Sequence, residues 1–220
     1  AEEGLANFLE AQILAAVDAA KATTYNSAFV GAAAKYPLLA DALQVAAADV
    51  DFFLNDGKSI MQADDFSRNG LEVIGDAQLA SFVSQYVNQG SGNGTNTAFQ
   101  FNGYTFTYSN TVATSAAAVS TGYVMPAGSV GIVAKVSPDA AANRESMSDG
   151  IRWSVEQSDL MGIPMSLMIK DECADVSAIT GNADDTNALV KSYQMGMSVA
   201  ILTPYNTGTN GGIKKFDYLP

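Results

Sequence analysis

Apolar residues recur at intervals of three and four along the first stretch of the chain. Leu5, Phe8, Leu9, Ile13, Ala16, Val17 and Ala20 fall on one helical stripe. Glu2 and Glu3 suit the positive end of a helix dipole, so the spacing predicts a long helix from residue 2 to about residue 34. Tyr36-Pro37 marks its boundary, because the residue before a proline avoids the helical region. A second, Ala-rich helix is expected from Leu38 to Phe53, ended by a turn at Asn55-Asp56-Gly57.

From Leu71 the pattern becomes shorter. LEVIG reads as a buried strand, Asp76 stands where an N-cap belongs, and Leu79, Phe82, Val83 and Tyr86 give the next helix its apolar face. The polar, Gly-rich stretch Gln89 to Thr97 has no periodicity and reads as a loop. In FQFNGYTFTYSN, Phe99 to Asn110, the aromatic residues change phase at Asn102-Gly103, the strongest two-residue hairpin signal. Folded there, Phe101 faces Tyr104 and Phe99 faces Phe106, and all five aromatics share one face. That face must be covered by the protein's own core or by another subunit.

Further on, SVGIVAKV reads as a strand, and Ser137-Pro138-Asp139 opens a short helix to about Met147. IRWSVEQS and PMSLMIK read as strands. LVKSYQMGMSVAILT alternates Tyr193, Met195, Met197, Val199 and Ile201 with smaller or polar residues, as one long half-buried strand does. GGIKKFDYLP ends the chain as a short strand after a Gly turn. Helices first and strands later, with no repeat of 20 to 50 residues, make the fold class α+β.

Composition narrows the function. The chain has 220 residues, enough to bury about 70% of its unfolded surface, and 48% of them are hydrophobic. Only 15% are charged, below the roughly 25% of ordinary globular proteins, so the surface is rich in small polar residues or is hidden in contacts. Net charge is −12 with no run of Lys or Arg, which removes steady nucleic-acid binding. One cysteine, Cys173, allows no internal disulfide and reads as a reduced thiol. No apolar run approaches the ~20 residues of a membrane helix.

Histidine is absent, which removes the commonest general base and metal ligand together. No nucleophile elbow, P-loop or dinucleotide fingerprint occurs. The acidic pairs Asp64-Asp65, Asp171-Glu172 and Asp184-Asp185 read as solvated carboxylates. Calcium in the loop Asn182 to Asn187 is the functional alternative, without the Gly and closing Glu of an EF-hand loop. Asn93-Gly94-Thr95 is a chance sequon, and Met195 and Met197 read as core filler. No catalytic, cofactor-binding or metal-binding residue is assigned, and no cofactor is expected.

Six segments together resemble a family. GLEVIGDAQLASFVSQYVNQGSGN, FQFNGYTFTYSNTV, TGYVMPAGSVGIVAKVSP, RWSVEQSDLMGIPMSLMI, SYQMGMSVAILTPYN and IKKFDYL follow the order of elements in the major capsid proteins of tailed bacteriophages, with the Hong Kong 97-like fold. The resemblance covers most of the chain from Leu71 onward. It implies a long spine helix with a second helix in a peripheral domain (residues 1–66), an axial domain (67–147), and a return to long peripheral strands (148–220).

It implies a structural virion protein, not an enzyme, that self-assembles into hexamers and pentamers around double-stranded DNA. Portal, scaffold, maturation protease and decoration proteins would be its further partners, and the capsid assembled in the host cytoplasm its place. The family carries an N-terminal arm and an extended hairpin ahead of the spine helix, whereas this sequence opens on that helix. An acidic shell also suits a container that must not cling to its genome. Two other readings are a bacterial compartment shell protein of the same fold and a glycan-binding adhesin using the aromatic hairpin.

Overall fold

A computed structural model describes residues 2–46, 49, 51–83, 100–101, 103–135, 151–204 and 210–220. The expected loop Gln89 to Thr97, the sequon at Asn93, Phe99 and the helix from Ser137 to Met147 lie outside them. The chain divides into two units. One comprises residues 10–131 and 202–220, the other residues 1–9 and 132–201.

The larger unit is built on a seven-stranded mixed sheet. In chain order its strands are β1 (Leu38–Leu39), β2 (Ala42–Ala46), β3 (Leu71–Gly75), β4 (Gln100–Phe101), β5 (Tyr104–Tyr108), β6 (Ser120–Pro126) and β12 (Lys214–Leu219), and the spatial order is β1-β2-β12-β6-β3-β5-β4. The central strands β12 and β6 run antiparallel, while β2 with β12 and β3 with β5 run parallel. Helix α1 (Glu2–Ala19) supplies Leu14 and Val17 to a cluster on Tyr123, Met125 and Ile213. A second cluster joins Phe52, Phe53, Ile60 and Met61 to Val73, Tyr104, Phe106, Phe216 and Tyr218.

The aromatic hairpin forms in the expected register, with Phe101 opposite Tyr104 and Gly103 at φ +81°. Tyr104 and Phe106 point inward while Thr105 and Thr107 are exposed. Phe53 covers them, its ring 5.6 Å from Tyr104 and 5.4 Å from Phe106 in edge-to-face contacts. Tyr104 and Phe106 therefore belong to the protein's own core.

LEVIG is β3, and Asp76 caps the helical residues 77–83 (α3), its Oδ1 accepting the Leu79 amide at 3.0 Å. Asp76 does more than cap. Its carboxylate also accepts Ser120 Oγ (2.7 Å), Thr114 Oγ1 (2.7 Å) and the Thr121 amide (2.9 Å), which ties the 109–119 connection to the sheet.

Three expectations for the N-terminal part of the chain fail. The first helix stops at Ala19, not near residue 34, because the next residues are taken by the last strand's approach. The Ala22 amide donates to the Ile213 carbonyl, and Lys21 bridges Ile213. The second helix is replaced by strands over residues 38–46. Leu38 to Ala46 form the hairpin β1–β2, turning at Ala40 and Asp41 with φ 49° and 63°, and β2 lies beside β12 with Ala42 to Val45 all buried. Tertiary pairing overrides the helix propensity of an Ala-rich segment. Asn55-Asp56-Gly57 is no turn either. A π-helical turn (Phe52–Asp56) runs straight into α2 (Gly57–Ala63). Gly57 is there for close packing: a Cβ would stand 2.9 Å from both the Phe52 carbonyl oxygen and the Tyr104 hydroxyl.

Gly122 has a similar role in the middle of the sheet. It lies opposite Phe216, and a Cβ would meet the Phe216 ring at 2.5 Å and the Ile74 carbonyl at 3.0 Å. Gly122→Ala is expected to destabilise the protein by about 1–3 kcal/mol through overpacking, read as a lower urea midpoint at unchanged slope.

In the smaller unit, β8 (Ile151–Gln157), β9 (Pro164–Ala174) and β10 (Ala188–Gly196) form an antiparallel sheet in the order β10-β9-β8. The stretch read as one long strand breaks at Met197. Its second half is β11 (Ser198–Leu202), which pairs with β7 (Gly131–Lys135) in a separate two-stranded sheet. A four-residue helix, α4 (Ser177–Thr180), sits in the β9–β10 connection. The molecule is of mixed α+β class.

Candidate interaction surface

The two units differ in what they bury. Among the described residues, Met165 is the single buried apolar side chain of the smaller unit, while the larger unit holds two continuous clusters. Antiparallel partners share a face of the sheet, so the register sets Tyr193 beside Ile169, Met195 beside Leu167, and Leu189 beside Cys173. Leu189 is 74% and Tyr193 64% exposed, Cys173 is exposed as well, and Leu167, Ile169 and Met195 are partly buried. Ile132, Val133 and Ile179 of the same unit are exposed as well. The face of the stripe is covered at one end, where Met165, two positions before Leu167 on β9, is buried. The Lys191–Asp171 pair lies on this face between Leu189 and Tyr193, so exposed apolar side chains flank an ion pair, and exposed apolar surface beside polar side chains marks a place of contact.

Charge on this sheet is arranged in pairs. Lys170 meets Glu172 at 2.5 Å on β9, and Lys191 approaches Asp171 at 4.0 Å across β10 and β9. Both pairs are largely solvated and stabilise little. The Lys170 ammonium holds the Glu172 carboxyl below its ordinary range, with Ser192 adding to the effect. Asp171 and Glu172 point to opposite faces, as expected of neighbours on a strand. Asp184 and Asp185 lie in an exposed turn in which Asn182 donates to Asp185 at 3.3 Å.

Among the described residues no group of three or more Asp, Glu or Cys side chains is disposed to hold a metal ion. Asp49, Asp51 and Asp56 do converge, but on the Lys35 ammonium, at 3.4, 3.1 and 2.7 Å. Tyr36 Oη donates to Asp56 (2.8 Å) and Asp49 (3.1 Å) from within the same cluster. The arrangement ties Asp49 and Asp56 to Tyr36.

Asp64 is the acidic residue misjudged from the sequence. It is buried and paired with the buried Lys214, while its Oδ1 accepts the Asn26 amide at 2.8 Å. The Lys214 ammonium also faces the rings of Tyr25 at 4.4 Å and Phe66 at 5.8 Å. Burial pushes the Lys214 pKa down, against the pull of Asp64. No solvent reaches this pair, so it acts on the fold. A signal was present in KKFDYL, where Lys214 shares its strand face with Phe216 and Tyr218.

A cavity of about 310 Å³ lies in the larger unit, lined by Leu14, Ala15, Asp18, Val112, Tyr123 and Lys215. Its polar end is one carboxylate: Asp18 accepts Tyr123 Oη at 2.8 Å, Lys215 at 3.1 Å and Lys21 at 3.0 Å. Burial works to raise the Asp18 pKa, and these three donors together outweigh it and hold the group charged. The cavity thus presents a structural ion pair and small apolar walls, without a nucleophile poised beside a base.

Cys173 is exposed near the end of β9. Among the described residues no helix is long and apolar enough to cross a membrane. No protein-family model, curated protein or solved structure matches the chain.

Proposed function

We propose that this protein is a structural shell subunit that acts by self-association, in the manner of a phage major capsid protein with its axial and peripheral domains, and without catalysis. The observation that carries the reading is the contrast between the units. The larger one closes its core with aromatic and aliphatic side chains, while the smaller one leaves Leu189 and Tyr193 of β10 exposed and, among the described residues, buries Met165 as its single apolar side chain. Closed symmetric assembly is the most economical cover for such a surface, since every copy supplies the same patch. The low content of charged residues agrees, because few charges need desolvation at a contact. The order of segments from Leu71 to the C-terminal strand supports the phage capsid class within shell proteins. Hexamers and pentamers around a genome are then the expected assemblies.

Sedimentation velocity with negative-stain electron microscopy, on this chain and on any longer form its gene encodes, tests the proposal. Rings or closed shells are expected from at least one of the two forms. Monomers from both at high concentration would remove the self-association reading.

A further inference from the structure

The two larger sheets treat their edges differently. The seven-stranded sheet ends at one side on β1, two residues long, a common device for blunting an edge against unwanted pairing. The three-stranded sheet ends on β10, nine residues long and without proline, and among the described residues no strand lies along its outer side. β10 also carries no carboxylate in a chain with 23 of them, so two copies can approach along it without the repulsion that net charge −12 imposes elsewhere.

We propose that β10 is a self-pairing edge: two copies join antiparallel about Ser192 into one continuous six-stranded sheet. The register follows from the side chains. Centring on Ser192 pairs all nine residues, Ala188 with Gly196 through Ser192 with itself. It sets Lys191 against Tyr193 of the second copy and Leu189 against Met195 of the second copy, a cation–aromatic pair and an apolar pair. It also keeps each stripe on the same side, so Leu189, Tyr193, Met195, Ile169 and Leu167 of both copies, with the Lys191–Asp171 pairs among them, make one surface. Centring on Lys191 would oppose two ammonium groups. A shift of half a step would put Leu189 opposite Gln194 and turn the two stripes to opposite sides. The contact is isologous, so it closes as a dimer. It rests on the self-association reading only for its place in a shell, where it would be a two-fold contact.

Oxidative crosslinking tests the pairing. In a Cys173→Ser background, Ser192→Cys chains are expected to form a disulfide-linked dimer at least about tenfold faster than Ala188→Cys or Gln194→Cys chains, because only residue 192 meets its own copy within disulfide reach. An equimolar mixture of Val190→Cys and Gln194→Cys chains should link across the two types and not within either. Circular dichroism checks that these variants stay folded. Equal rates at 188, 192 and 194, or no dimer at all, would overturn the pairing. Shells that form without the Ser192 link would overturn it while leaving the shell function standing. A linked dimer that never builds rings or shells would uphold the pairing and remove the shell function.

Discussion

Lys214→Met is expected to lower the unfolding free energy by about 3–5 kcal/mol, the cost of leaving a buried carboxylate without its cation. Asp64 is fully enclosed, and its remaining partner is the Asn26 amide at 2.8 Å. Removing both charges should be far milder. Lys214→Met with Asp64→Leu is expected to recover most of the loss, since an apolar pair of similar volume avoids the desolvation penalty that the ion pair carries. Recovery should stop short by about 1–3 kcal/mol, because the Asn26 amide then loses its acceptor. Urea unfolding of the two single variants and the double variant measures this directly. Additive losses would show that the ammonium and the carboxylate act separately, and that the rings of Tyr25 and Phe66 hold Lys214 without Asp64.

Asp76→Ala is the second large effect, expected at about 3–4 kcal/mol. It strips the acceptor from Ser120, Thr114, Thr121 and Leu79 at once, and a buried donor left unpaired costs about 1–3 kcal/mol before its hydroxyl or backbone relaxes. The charge matters as well as the shape. Burial works to raise the Asp76 pKa, but the four donors together outweigh it and hold the group below the ordinary aspartate value of 3.8. A depressed folded-state pKa means that the unfolded chain takes up the proton first as pH falls. The stabilisation is complete above about pH 4 and is lost as pH drops through the folded-state value. The gap in unfolding free energy between the native protein and Asp76→Asn should therefore stay constant from neutrality down to about pH 4 and narrow below it. A gap that stays constant below about pH 4 as well would mean that shape, not charge, sets the contribution of Asp76.

The contrast between these two sites shows how far a sequence can be read. Asp76 was visible as a cap, because a cap is local: a strand, a carboxylate and an apolar helix follow one another within a dozen residues. The hairpin at Asn102-Gly103 was visible for the same reason, and β5 keeps the expected inward aromatics. Asp64 and Lys214 are 150 residues apart, and nothing near either one announces the other. The solvated reading of Asp64 followed from its neighbours, and its neighbours did not decide.

By itself, then, the sequence determined the α+β class, the strand LEVIG with its capped helix, the aromatic hairpin and the C-terminal strand. Each is set by contacts within a few residues, where turn chemistry and side-chain period act directly. The tertiary structure alone decided that an Ala-rich segment becomes β2, that Gly57 is a packing glycine inside a helix, and that the last apolar run splits at Met197 between two sheets. Those outcomes depend on partners far along the chain. β2 is held by β12, from Lys215↔Ala42 to Leu219↔Ala46, and such pairing outweighs the few tenths of a kcal/mol per residue by which alanine favours a helix.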